Sequence, residues 1–292
     1  MRKYLLPATA ILILTSACAD STRPPASSWA ANNPDWIAAI EPFRVYDNIY
    51  FVGARGLSSF LIVTPDGHFL IDGALPESAS MIARNIGMLG FDIRDVKILL
   101  NSHAHIDHSG GLAELKKLSG AEMIASEGDR WALETGLVPG SEDDPDYAAP
   151  PVKVDRTISD GGTLTLGAVT LTAHLTPGHT RGCTTWTMQA AGKSVLFFCS
   201  ATVAANRLVN PPQYEGIVED YRSTFAKMRT WRPDIFLANH PVFFSMEEKR
   251  ARQVAGDKDA FVDPDGFPAL AAGLETAFER SLAEQSAKAS KG

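Results

Sequence analysis

The run Asn101-Ser-His-Ala-His-Ile-Asp-His-Ser-Gly-Gly111 constrains the fold more than any other part of the chain. It gathers His103, His105, Asp107 and His108 within six positions, and each of the four side chains can bind a transition metal. Imidazole with carboxylate suits Zn²⁺, with a softer case for iron. In an extended segment side chains alternate, so His103 and His105 point the same way and can grip one ion. Asp107 and His108 fall where the chain turns and can face a second ion beside the first. One such histidine alone would read as a polar residue in a solvated loop; four together do not. Val96-Lys-Ile-Leu-Leu100, just before the run, is a short apolar stretch with β-branched residues, as in a strand covered on both faces. Ser109 to Leu118, just after it, reads as an amphipathic helix with Leu112, Leu115 and Leu118 on one face. Gly110 and Gly111 allow tight backbone packing where that helix begins. The ligands therefore sit on a strand-to-helix turn, held by rigid elements and open to a cleft.

The rest of the chain can supply such elements. Of its 292 residues 45% are hydrophobic, enough for one large core or two small ones. The N-terminus reads as a secretory signal over residues 1–19, leaving 20–292 as a single domain. Arg2-Lys3 is its basic start. Leu5 to Ala17 is its apolar stretch, shorter than the ~20 residues that span a bilayer. Ala17-Cys18-Ala19 fits a cleavage site. Thr15-Ser16-Ala17-Cys18 also resembles a lipoprotein box, so cleavage after Ala19 and a lipid anchor on Cys18 both stand open. Either places the chain in the periplasm, free or anchored to a membrane that it does not span. Removing Arg2 and Lys3 leaves 25 basic against 34 acidic residues, a net charge of −9. That balance argues against nucleic acid or an anionic membrane as partner.

Strand patterns fill 43–75, with Pro65-Asp-Gly67 as a turn. Helices are expected over 77–89 and 127–136, and Met123-Ile-Ala125 reads as a strand. Residues 137–151, rich in Gly, Pro and acids, read as an exposed loop. Strands return through 152–199, followed by a helix near 217–231, the strand Asp234-Ile-Phe-Leu-Ala238 and C-terminal helices. The Ala/Ser/Lys-rich tail from about 285 reads as frayed. Strands from both halves with helices outside suggest two packed sheets between helical layers.

Two more histidines stand at strand ends. Thr176-Pro-Gly-His179 follows the strand Val169 to Leu175, and Leu237-Ala-Asn-His240-Pro ends the last strand. His68 and His174 lie inside strands and read as ordinary residues. Cys183 and Cys199 flank a hairpin around Ala190-Ala-Gly-Lys193. A turn centred on Ala191 puts them opposite each other, either as a bridge in an oxidising compartment or as two buried thiols.

With these residues in place, the sequence resembles the metallo-β-lactamase superfamily, and within it the subclass B3 enzymes. The motif H-x-H-x-D-H stands as His103-Ala-His105-Ile-Asp107-His108, and the later members match at Thr176-Pro-Gly-His179 and Leu237-Ala-Asn-His240. The likeness covers roughly residues 35–260, including Phe69-Leu-Ile-Asp-Gly73 and Val218 to Phe225. It implies an α+β fold, a four-layer αββα sandwich, with two zinc ions. The first ion would take His103, His105 and His179; the second would take Asp107, His108 and His240. It further implies a monomeric enzyme that opens small-molecule β-lactams with hydroxide as nucleophile, and Asp107 as the catalytic residue that orients it and relays a proton. Many superfamily hydrolases carry a bridging Asp after the strand that precedes the last His, and subclass B1 carries a Cys. Here that position aligns with Ser200, although a shift of one residue would bring Cys199 there. The lysine that relatives use for the substrate carboxylate is missing. Ser200 and Thr202 would bind that carboxylate instead, and Asn206 falls where some members carry a Tyr near the oxyanion. Asp72 would steady the metal loop or serve structure alone. Trp36 and part of the 137–151 loop would wall the groove. Hydrolysis of a lactone, ester or thioester on the same fold is the alternative, and a metal-binding protein without catalysis is the third reading.

Overall fold

The computed structural model describes residues 27–290; the expected signal segment, Cys18 and the last two residues lie outside that range. Among the described residues twelve strands form two sheets. The first comprises β1 (Phe43–Tyr46), β2 (Ile49–Phe51), β3 (Phe60–Thr64), β4 (Gly67–Ile71), β5 (Val96–Leu100), β6 (Glu122–Ser126) and β7 (Arg156–Ile158), side by side in chain order. Its first three pairings are antiparallel hairpins; β4 to β7 run parallel, joined by helical crossovers. The second comprises β8 (Thr163–Leu166), β9 (Val169–Leu175), β10 (Thr184–Ala190), β11 (Lys193–Phe198) and β12 (Ile235–Ala238), with β12 parallel to β11 and every other pair antiparallel.

Side-chain alternation along each strand builds the layers. On β4, Phe69 and Ile71 point between the sheets, where they join Phe60, Leu100, Leu171, Trp186 and Phe197. Leu70 points the other way, with Leu61, Leu99 and Met123, onto α2 (Ala79–Met88), α4 (Leu112–Ser119) and α5 (Glu127–Thr135). The outer face of the second sheet packs Phe198 and Phe236 against α6 (Ile217–Met228) and α8 (Gly266–Ala289), where Phe225, Phe267 and Phe278 are buried. The expected αββα sandwich is therefore the fold.

Three expectations need correction. Leu118 is 38% exposed while Leu112 and Leu115 are fully buried, because three-residue steps drift around a 3.6-residue helix and carry Leu118 off the packed face, and the predicted helix is also broken before Leu112. A single turn, α3 (Ile106–Ser109), precedes α4, and Gly110 and Gly111 join them. The C-terminal tail is helical through Ala289. Gln285 anchors it, accepting from the Leu208 amide at 2.7 Å and donating to the Asn206 carbonyl at 3.1 Å. The hairpin between β10 and β11 turns on two residues, Ala191 and Gly192, with φ of 43° and 79°; two such values are what a tight hairpin turn requires. The ladder therefore pairs Ala190 with Lys193, half a residue away from the expected centre. Cys183 and Cys199 lie just past the end of this ladder, fully buried, and are joined as a disulfide with Cα atoms 5.9 Å apart.

Candidate metal centre

One end of the sandwich collects the C-terminal ends of β4, β5, β9, β11 and β12. β5 delivers His103 and His105 directly, and α3 then presents Asp107 and His108. β9 leads to His179, β11 to Ser200 and Thr202, and β12 to His240. The two sheets are stitched together here. The Thr184 amide donates to the Ser102 carbonyl at 2.8 Å, and the Trp186 indole donates to the Asn101 carbonyl at 3.2 Å. Gly73 and Gly111 touch backbone to backbone. A Cβ on Gly111 would collide with the Gly73 carbonyl, so the strand end of β4 and the ligand turn are held in direct contact.

The six ligand candidates form two triangles. His103 Nε2 lies 3.1 Å from His179 Nε2, and His105 Nδ1 lies 3.2 Å from the same atom. His108 Nε2 lies 3.2 Å from His240 Nε2 and 3.2 Å from Asp107 Oδ2, which is 3.4 Å from His240 Nε2. A tetrahedral zinc with bonds of about 2.0–2.1 Å has ligand–ligand edges of about 3.3–3.4 Å. All three edges of the second triangle and two edges of the first are close to that length, and the third edge of the first is within 4.8 Å, so the residues fit a metal ion. The triangles adjoin: His103 also lies within 4.8 Å of Asp107 and His108 by its ligand atoms. Cys183 and Cys199 come equally close to His103, but the disulfide leaves neither sulfur as a thiolate.

The far sides of the rings are held. His179 Nδ1 donates to the Thr202 carbonyl at 2.8 Å, which fixes Nε2 as the free nitrogen. His103 Nδ1 faces Ser102 Oγ at 3.2 Å and Cys199 Sγ at 3.6 Å. His108 Nδ1 faces Asp72 Oδ2 at 3.9 Å, and Asp72 Oδ1 accepts from the Ser102 amide at 2.6 Å. Asp72 thus spans both triangles from behind, in a left-handed backbone conformation (φ 66°) that costs a non-glycine residue energy.

Electrostatics agree with cation binding. Burial, reinforced by the neighbouring imidazoles, holds His103 well below the usual histidine range. Burial brings His105 down to about 4, and burial with His105 alongside brings His179 down to about 3. These rings stay neutral, the form a metal requires. Burial would raise the Asp107 carboxyl, but His108 and His240 overcome it and hold Asp107 well below the usual range. Against its own burial, His108 is raised by Asp107 and Asp72.

In front of the triangles is a cavity of about 260 Å³ lined by Trp29, Trp36, Tyr147, Phe243, Ser200 and Thr202 among others. Trp29 stacks on Trp36 with centroids 5.8 Å apart, and Trp36 leans on the His240 ring at 5.5 Å. Of the 137–151 loop, Val138, Ser141 and Tyr147 reach the cavity, and most of the remainder is exposed as expected. Ser200 Oγ and Thr202 Oγ1 are 3.2 Å apart at the cavity wall. Asn206 lines the cavity too, but its Nδ2 donates to the His179 carbonyl at 2.9 Å and to the Tyr221 hydroxyl at 3.1 Å. It therefore turns its amide nitrogen to the His179 loop rather than toward an oxyanion. Sequence reasoning missed Trp29 and Phe243, because nothing in their neighbours marks them, and it flagged the loop that carries Tyr147 without singling out that residue. It also missed Asp129, which reads as an ordinary acid in the first turn of α5.

Residues 52–240 match the family model described as the metallo-beta-lactamase superfamily. Among solved structures, BJP-1, a subclass B3 metallo-β-lactamase of Bradyrhizobium japonicum, is 47% identical, with 87% of this chain and 98% of that chain covered and a TM-score of 0.84. The native FEZ-1 metallo-β-lactamase from Legionella gormanii is 36% identical, with 85% and 98% covered and a TM-score of 0.82. Among curated proteins, a hydroxyacylglutathione hydrolase of Rhodospirillum rubrum is 29% identical over 134 residues, 46% of this chain and 40% of that protein. The chain spans about two fifths of the length of the curated relatives it matches.

Proposed function

The chain belongs to the metallo-β-lactamase superfamily, among its subclass B3 enzymes, and we propose that it hydrolyses the cyclic amide of β-lactam antibiotics and so confers resistance to them. One observation carries the reading: two ligand triads adjoin one cavity, into which His105, His179, Asp107 and His240 open, with the hydroxyl of Ser200 at the strand end where related hydrolases keep a carboxylate or a thiolate. Each triad takes one zinc ion, His103, His105 and His179 the first, and Asp107, His108 and His240 the second. Zinc bound there supplies Lewis acidity, which makes a hydroxide nucleophile available near neutral pH and polarises the amide carbonyl.

The chain's own side chains do the rest. Asp107 stays ionised beside His108 and His240. It would accept a hydrogen bond from the attacking hydroxide and orient it, take that proton once the oxygen–carbon bond forms, and pass it to the ring nitrogen as the carbon–nitrogen bond breaks. Ser200 Oγ and Thr202 Oγ1 offer two donors to the carboxylate of the substrate. Thr202 also buttresses His179, since its carbonyl accepts from His179 Nδ1. Asn206 and Tyr221 hold this loop, with the Tyr221 hydroxyl donating to the Thr202 carbonyl at 2.7 Å. Trp29, Trp36, Tyr147 and Phe243 give the substrate an apolar wall and exclude water. The mature enzyme, residues 20–292, acts in the periplasm as a monomer. Its basic and apolar N-terminal pattern supports export, and no helix among the described residues is long and apolar enough to cross a membrane.

The likeness to a hydroxyacylglutathione hydrolase favours a second reading, hydrolysis of a thioester or lactone. Purified enzyme assayed with a chromogenic cephalosporin, a carbapenem, a glutathione thioester and an acyl lactone, each with and without chelator, separates the two. Chelator-sensitive opening of the lactams with little turnover of the other substrates supports the proposal. Faster thioester or lactone turnover transfers the function to the second reading.

A further inference from the structure

The first ligand triad joins two loops that belong to different sheets. His103 and His105 follow β5, and His179 follows β9. Their nitrogens come within 3.1–3.2 Å only if those loops are in register to a fraction of an ångström. One side chain bridges them. Asp129, on the first turn of α5 and only 3% exposed, accepts from the Ala104 amide, between the two ligands of one loop, at 2.9 Å. The same oxygen accepts from the Thr180 hydroxyl, next to the third ligand, at 3.1 Å. The other oxygen accepts from the Gly182 amide at 2.9 Å. Among the described residues Asp129 has no salt-bridge partner, so all of its hydrogen bonds go to these loops. The packing leaves no slack: a Cβ on Gly182 would lie 2.6 Å from Asp129 Cγ, and one on Gly128 would lie 2.7 Å from the Arg181 carbonyl.

We infer that Asp129 is a positioning residue that sets the spacing between the His103–His105 loop and the His179 loop, and thereby the metal affinity of the first triad. The inference rests on the reading of the triads as a metal centre, but not on the identity of the substrate. Asparagine cannot replace it, because its NH₂ group would meet one of three donors. Residues that orient metal ligands from behind are typically worth 10–100-fold in metal affinity.

The test measures zinc affinity of the purified metal-free protein by competition with a chromophoric chelator, alongside its unfolding midpoint. Asp129→Asn and Asp129→Ala should weaken the tighter zinc by roughly 10–100-fold. Thr180→Val should weaken it several-fold, and Thr180→Ser should restore it. Asp155→Asn is the control. Asp155 accepts from the Met123 amide at 2.9 Å, far from both loops in its contacts, so that variant should lose stability and keep wild-type zinc affinity. Cobalt(II) in place of zinc should show an altered visible spectrum in Asp129→Asn and an unaltered one in Asp155→Asn. If Asp129→Asn lowers the unfolding midpoint while zinc affinity and the cobalt spectrum stay at wild-type values, Asp129 is structural only and the inference is overturned. If Asp129 variants do not fold, unchanged affinity in Thr180→Val overturns it equally. Failure of the β-lactam reading would appear instead as wild-type protein that binds zinc normally and opens no lactam.

Discussion

Removing the Cys183–Cys199 bridge should cost the protein stability that can be worked from the chain alone. The bridge closes a loop with a sequence separation of 16. On the chain-entropy account a loop of that length restrains the unfolded state by about 3 kcal/mol at room temperature. For a domain of this size that corresponds to a fall in melting temperature of roughly 5 °C. The Cys183→Ala/Cys199→Ala variant adds a small cavity term, because both side chains are fully buried. Reduced wild-type protein with alkylation-free thiols separates the two contributions. Denaturant unfolding of the oxidised, reduced and variant proteins, all metal-free, supplies the free energies. The loop also carries function. Cys183 stands four residues after His179, and Cys199 Sγ lies 3.6 Å from His103 Nδ1, so opening the bridge should weaken zinc binding as well. Oxidised and reduced proteins that unfold within about 0.5 kcal/mol of each other would mean that the bridge constrains nothing.

Three further outcomes are expected. Asp107→Asn should lower turnover by about 10²–10⁴-fold, the range for a lost general acid–base, while zinc at the His103, His105 and His179 triad persists by elemental analysis; unchanged turnover would remove Asp107 from its role. Tyr221→Phe deletes the hydroxyl that donates to the Thr202 carbonyl at 2.7 Å and accepts from Asn206. It should destabilise the fold by about 1–3 kcal/mol in denaturant titration, since two buried polar partners lose their bond. Trp36→Ala should raise KM for lactams with bulky apolar substituents and leave zinc content unchanged, because the ring walls the cavity and touches His240 only from outside the triad.

The candidate metal centre was largely legible because four of its six candidate ligands are local. Spacing within the run from His103 to His108 reveals them without any knowledge of the fold. His179 and His240 were legible for a different reason, since Pro-Gly and Pro mark the ends of the strands that carry them. The αββα layering followed from the succession of strand and helix patterns. What stayed hidden depends on contacts between distant segments. Asp129 is an unremarkable first-turn acid until α5 brings its carboxylate to the loops at Ala104 and Gly182. The tail lacks a continuous apolar stripe and reads as frayed, yet one side chain, Gln285, holds it by two hydrogen bonds to residues 77 and 79 positions away. The hairpin was placed half a residue off because an apolar pattern cannot distinguish a one-residue turn centre from the two-residue turn at Ala191-Gly192. Asn206 was assigned to substrate by alignment alone, and only the structure reveals that its amide is turned to the His179 loop.

Two adjacent triads that each hold a zinc ion and together open a β-lactam ring tie catalysis to metal stoichiometry. Zinc bound per chain, counted in wild type and in His240→Ala while cephalosporin turnover is followed in the same samples, tests that link most directly. Two zinc ions are expected per wild-type chain and one in His240→Ala, with turnover that appears with zinc, disappears with chelator and collapses in the variant. Wild-type protein that opens the lactam without zinc, or that binds two zinc ions and leaves the lactam intact, would contradict it.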